Sequence, residues 1–464
     1  MGAPTCPCCR LRAPVHYGRS ATQDFLSPYP LRMTRRGSVT VMTLAVLLLL
    51  VGCSQDPSGK ESSTPSESSS SADPGACDGA DEELLDTVRS YVEAYDAPVN
   101  GESGSGASEV GADDGELRDA LGRTRRTLDE NGCDLKEFRT DFRAGMDDIK
   151  TRGPLANAVL LRLTASMTGT LARTPETVTV RPGQDLPAAL ARLAPGSTAV
   201  LSAGDHGLRQ PLVLLSGVTL RGQGQPRTSI SSTAAGSAIL VLTDERTELR
   251  DLTLRHQGRK PSSLLVGGPS SSVVLTRARL TGATASAKAA AGDQSGSAVT
   301  MTARAGNAAP RGTTIQVTAS DFVDNDVAGL LLTGAHRASI RRTTFRANGQ
   351  CGVCFAGKSS GGVQRGTFRN NGVGVAVLDQ ATPTVTDNDF EGGQVAIQVS
   401  GRAAPAVRRA RIDGPSRAGL IFGDRSSGRV DGARCQNITY GIVVAPQALP
   451  FIGRGNKCPI SKGR

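Results

Sequence analysis

Six short openings between residues 328 and 444 decide the fold: AGLLL (328–332), CGVCF (351–355), VGVAV (373–377), VAIQV (395–399), AGLIF (418–422) and YGIVV (440–444). They recur every 22 or 23 residues. Leu330, Val353, Val375, Ile397, Leu420 and Ile442 form one apolar file, and Leu332, Phe355, Val377, Val399, Phe422 and Val444 form the next. Eight residues further on stand Ile340, Val363, Val385, Val407, Val430 and Ile452; five beyond those come Phe345, Phe368, Phe390, Ile412 and Cys435. Alternation with period two marks a strand with one buried face, and strands at constant spacing make each repeat one coil of a solenoid. Such coils stack about 4.8 Å apart, so like residues lie above like.

The pattern reaches backwards with less regularity. Val317 and Phe322, Leu275 and Leu280, and Leu249 and Leu254 keep the five-residue spacing. Asn325, Asn348 and Asn371 align three residues after the phenylalanine file, where their amides are expected to bond coil to coil. In front, TVTVRPGQDLPAALARLAPGSTAVLSAGDH (177–206) reads as strand, short amphipathic helix and strand, before SGVTLRGQG (216–224) opens the coils. This beginning resembles that of the pectin-lyase-like proteins, in which a helix covers the open end of the solenoid. The resemblance spans residues 177–458 and implies a right-handed parallel β-helix, a mainly β fold. A cover is physically required, because a terminal coil otherwise exposes core and unpaired strand edges.

Outside the coils the chain changes character. MTRRGSVTVMTLAVLLLLVGC (33–53) joins two arginines to a short apolar run ending in Gly52-Cys53. The run suits a signal peptide rather than a membrane span. Leu50-Val51-Gly52-Cys53 resembles a bacterial lipobox, which implies cleavage before Cys53 and a lipid on its thiol. Residues 1–32 then read as an upstream mis-start, with Met33 as the natural beginning. Residues 54–76 are Ser-rich, carry no apolar side chain larger than Ala, and read as a flexible tether. Residues 77–173 show apolar side chains at helical spacing, among them Leu84, Val88, Leu121, Leu135, Phe142, Met146, Leu155 and Leu163, and are expected to form a four-helix acidic module. Charge divides the same way: residues 54–176 hold 13 Lys and Arg against 25 Asp and Glu, whereas 177–464 hold 34 against 17.

In an exported chain the even number of cysteines beyond Cys53 suggests disulfides. Cys77 precedes the first helix and Cys133 opens the third, so a bridge would staple them. Cys435 and Cys458 stand one coil apart, within disulfide reach. Cys351 and Cys354 lie three apart in an extended strand, near 10 Å, so no bridge is expected there unless Gly352 bends the chain.

Chemistry is harder to locate. The resembling lyases use clustered Asp for Ca²⁺ with an Arg base; the hydrolases use paired Asp with a Gly-His-Gly. Neither motif stands here, and no metal site or cofactor is expected. His206, His256 and His336 are isolated and read as surface residues. Asp387 and Asp389 are the candidate carboxylate pair, spaced to suit glycoside hydrolysis. Asp387 also shares a file with Arg342, Arg365 and Arg409, which favours an ion-pair ladder. That file, with Arg277, is the candidate ligand site, a row of cations fit for an anionic polysaccharide or wall polymer. Two Ala/Gly/Ser-rich insertions, 281–297 and 303–313, interrupt the coils and carry Lys288, Arg304 and Arg311. The expectation is thus a monomeric lipoprotein, anchored at the outer membrane face and binding an anionic polymer without cleaving it. The other reading is a divergent polysaccharide lyase or glycoside hydrolase. Nucleic acid is not expected as a partner outside the cell.

Overall fold

The structure is a computed structural model describing residues 77, 79–96, 114–287, 295–302, 314–415 and 417–462. The leader with Cys53, the stretch 54–76, and Lys288, Arg304 and Arg311 lie outside the described residues.

From Thr177 onward the chain winds into a right-handed parallel solenoid of three sheets. Sheet A has 12 strands, from Thr177–Val180 to Phe451–Ile452; sheet B has 10, from Gly204–Leu208 to Arg434–Gln436; sheet C has 11, from Leu212–Leu214 to Ile460–Lys462. Strand pairing reproduces the sequence register: Leu330 lies beside Val353, Val353 beside Val375, and Phe345 beside Phe368. All four files face inward, and Phe322, Phe345, Phe368 and Phe390 stack with centroids 4.8, 5.0 and 4.8 Å apart.

Those rings explain the glycines that open the sheet C strands. A Cβ on Gly352 would stand 2.7 Å from the Phe368 ring and 2.7 Å from the Gly374 carbonyl oxygen, closer than real contacts allow. Gly329 meets Phe345 and Gly374 meets Phe390 in the same way. Where the file changes to the smaller Ile412, the corresponding opening residue is Ala396.

The asparagine file forms the expected ladder. Asn325 Nδ2 donates to Asn348 Oδ1 at 2.9 Å, and Asn348 Nδ2 to Asn371 Oδ1 at 2.8 Å, all three being buried. Asn388 does the same work at the corner between sheets A and B. It accepts from Gly366 N–H at 2.7 Å and donates to the Val363 carbonyl at 2.9 Å.

The cysteines bring one correction. Cys77–Cys133 and Cys435–Cys458 are bridged as expected, with Cα atoms 5.8 and 4.8 Å apart. Cys351 and Cys354 are bridged too, at a Cα separation of 5.9 Å. The strands of sheet C are not straight: their second residue is left out of the ladder, Gly352 here as Gly374 and Ala396 are in the next two coils. The kink at Gly352 turns both cysteines to the same side, beside Ala328 and Ala376 in a small apolar cluster apart from the main core. The coil register holds on both sides of it.

Four helices precede the solenoid: α1 (Ala80–Glu93), α2 (Asp114–Asn131), α3 (Leu135–Asp148) and α4 (Pro154–Met167). Leu84, Val88, Leu121, Phe142, Met146 and Leu160 form their core, while Leu135, expected inside, is 44% exposed at the start of α3. Helix α4 is shared between two partners. Leu155 packs on Val213 and Leu240 of sheet C, and Arg162 Nη1 donates to the Leu193 carbonyl at 3.2 Å. A short helix, α5 (Leu186–Ala191), covers the first coil with Leu186 and Leu190 buried against the core.

Candidate functional site

Each coil turns from sheet A to sheet B through one residue with positive φ. These residues are Asp251, Arg277, Ala319, Arg342, Arg365, Asp387 and Arg409, with φ between 48° and 58°. The left-handed region disfavours side chains with a Cβ. The stacked coils hold it, because the amide ladder runs through the turn: Arg342 N–H donates to the Gln364 carbonyl at 3.1 Å and Arg365 N–H to the Thr386 carbonyl at 3.2 Å. A small or amide side chain follows inside, such as Ala278, Thr343, Asn388 or Ala410. The charged side chains are thereby aimed outward in one file.

Within the file the cations differ. Arg277 grips Asp251 of the preceding coil through two bonds of 2.6 and 2.8 Å. Arg409 grips Asp387 likewise, at 2.6 and 2.9 Å. Arg342 and Arg365 lie on adjacent coils between these pairs and form no ion pair among the described residues. Arg337 and Arg341, which sequence reasoning passed over, stand on the outer face of sheet A beside them. The signal was present in the Arg341-Arg342 doublet, whose members leave the strand end in different directions. The neighbouring surface of sheet A is made of Gln316, Ser339, Gln364, Thr384 and Thr386, amides and hydroxyls without a carboxylate.

The carboxylate pair is engaged otherwise. Asp389 accepts from Arg411 Nε at 2.6 Å, as Asp387 does from Arg409. The hydrogen bond from Arg409 and its charge, with Arg365 and Arg411 beyond, hold the Asp387 carboxyl below its usual range. A general acid needs the opposite shift. Both aspartates belong to the ion-pair ladder of neighbouring coils.

The histidines are not surface residues. His206 and His256 are buried, and His336 is 0% exposed. His206 stands in the inward file with Ile230 and Leu254, a register of the irregular early coils that the sequence spacing did not disclose. Neither ring nitrogen of His336 finds a hydrogen-bond partner. Burial depresses the ring's proton affinity, and the nearby Thr302 backbone, which makes no well-formed hydrogen bond to the ring, opposes that without reversing it. No group of three or more His, Cys, Asp or Glu able to hold a metal occurs among the described residues.

Residues 308–457 match the family model described as "Right handed beta helix region". No curated protein matches the chain. Among solved structures, the catalytic domain of GH87 α-1,3-glucanase in complex with nigerose is similar at a TM-score of 0.36 and 9% identity, over 63% of this chain and 69% of that one. The A-module of the Azotobacter vinelandii mannuronan C-5 epimerase AlgE4 is similar at 0.39 and 14%, over 58% and 89%.

Proposed function

We propose that this right-handed β-helix protein is a non-catalytic binding module for an anionic polymer of the cell envelope, exported and held at the membrane by a lipid on Cys53. The observation that carries the reading is Arg342 and Arg365, which form no ion pair among the described residues and are presented one coil apart by the same turn. A solenoid repeats its turn at about 4.8 Å, near the spacing at which a linear polyanion repeats its charges. Arg337 and Arg341 widen the cationic surface, and the hydroxyls and amides of sheet A suit sugar hydroxyls. Asp387 and Asp389 each accept from an arginine, which speaks against these two as the acid of a glycoside hydrolase.

A depolymerisation assay tests the reading. The chain is incubated with polyuronates and with wall teichoic acid, with and without Ca²⁺. Polymer length should stay constant while the polymer is retained by the protein. Shortened chains would return the protein to the lyases or hydrolases.

A further inference from the structure

The two ends of the solenoid are built differently. At the first coil α5 buries Leu186 and Leu190 over the core. At the last coil Ile460 continues the inward file of Ile442, yet it is 50% exposed. Around it Leu449 is 80%, Phe451 57% and Tyr440 53% exposed. Among the described residues the other exposed large apolar side chain is Leu135, far away in α3. Charge is concentrated at the same end. From residue 432 to 462 the sequence holds Arg434, Arg454, Lys457 and Lys462 and no Asp or Glu. All four cations are exposed and make no ion pair among the described residues.

We infer that this C-terminal end is a docking surface for an anionic lipid bilayer, distinct from the arginine file between sheets A and B. Protruding Leu, Phe and Tyr side chains enter the interfacial zone of a bilayer one by one, and cations beside them meet the headgroups. The apolar side chains are spread around the end: Leu449 and Phe451 at the edge of sheet A, Ile460 on the edge strand of sheet C, and Tyr440 just before the penultimate strand of that sheet, Ile442–Val444. A fluid surface accepts that distribution without a shaped groove. A second copy does not fit, because it would bring the same cations face to face. The hydrated headgroup layer also satisfies the free backbone groups of the last strands, Phe451–Ile452 and Ile460–Lys462.

The test uses residues 54–464, which lack both the apolar leader and the lipidated Cys53 and keep every residue the structure describes, in co-sedimentation with two vesicle types. Vesicles of phosphatidylcholine mixed with phosphatidylglycerol should bind it at least about tenfold more tightly than phosphatidylcholine alone, and salt should weaken that binding. Leu449→Ser with Phe451→Ser should reduce it by about tenfold. Because the Arg429 guanidinium lies 4.7 Å over the Phe451 ring, Leu449→Ser alone, at an 80% exposed residue, is the folding control: its unfolding midpoint should stay in place while its vesicle binding falls. Arg342→Ala with Arg365→Ala should leave vesicle binding unchanged, which separates this surface from the polymer site. Equal binding to neutral and anionic vesicles, full binding by the Leu449/Phe451 variant, or self-association through those residues in place of vesicle binding would overturn the inference.

Discussion

Single residues in this protein are governed by which way their coil position faces. His336 sits in an inward position with neither nitrogen bonded, so only its neutral ring suits the folded state. Its folded proton affinity lies below the unfolded one, so its contribution is complete above about pH 6.5 and is lost as pH falls towards the folded value. Urea midpoints measured from pH 7 to pH 5 should therefore fall, and His336→Leu should flatten the slope. The same change should add about 1–3 kcal/mol at neutral pH by removing an unbonded buried polar group. An unchanged slope would place the titration elsewhere. The arginine file was legible in the sequence because its spacing is the coil period. The pairing within it was not, since whether Arg409 bends to Asp387 or leans towards solvent depends on rotamers that spacing does not encode. For the same reason the file read as four equivalent cations, when Arg342 and Arg365 are the two left open.

Elements are set by how each strand accommodates the coil above it. The phenylalanine stack requires glycine at the start of the facing strand, and the substitution of Ile412 beside Ala396 shows the compensation within one molecule. Gly352→Ala should cost about 1–3 kcal/mol by overpacking against Phe368, and adding Phe368→Ile should recover part of it. Additive losses in chemical denaturation would contradict that coupling. The sequence disclosed the coils of residues 328–444 because their lengths are nearly constant. Cys351 and Cys354 are closer than their spacing implies because the second residue of a sheet C strand, here Gly352, leaves the ladder and bends it, which spacing does not encode. Cys435–Cys458 followed from register alone, since vertically aligned Cα atoms need no knowledge of bends. Removing it by Cys458→Ser should destabilise the last coil by about 3 kcal/mol, visible as faster amide exchange in Ile460–Lys462 before any global change.

At the scale of the molecule, the acidic helices sit at one end of a basic solenoid through an apolar seam of Leu155, Val213 and Leu240. The charge division along the sequence announced two parts but not this seam, because α4 is apolar on two sides and its periodicity reads as an ordinary bundle helix. Leu155→Asp should loosen the helices from sheet C and open the segment before Thr177 to protease, while the solenoid stays folded. Among the described residues the seam involves sheet C, and not the turn between sheets A and B where the proposed polymer site lies. Arg342 and Arg365 are proposed to hold an anionic polymer without cutting it. Titration calorimetry of the full chain with wall teichoic acid or polygalacturonate, at low and high salt, examines it most directly. Binding should weaken with salt and fall about tenfold or more in Arg342→Ala with Arg365→Ala, with polymer length unchanged throughout. Binding indifferent to both arginines, or a polymer that shortens during the titration, would contradict it.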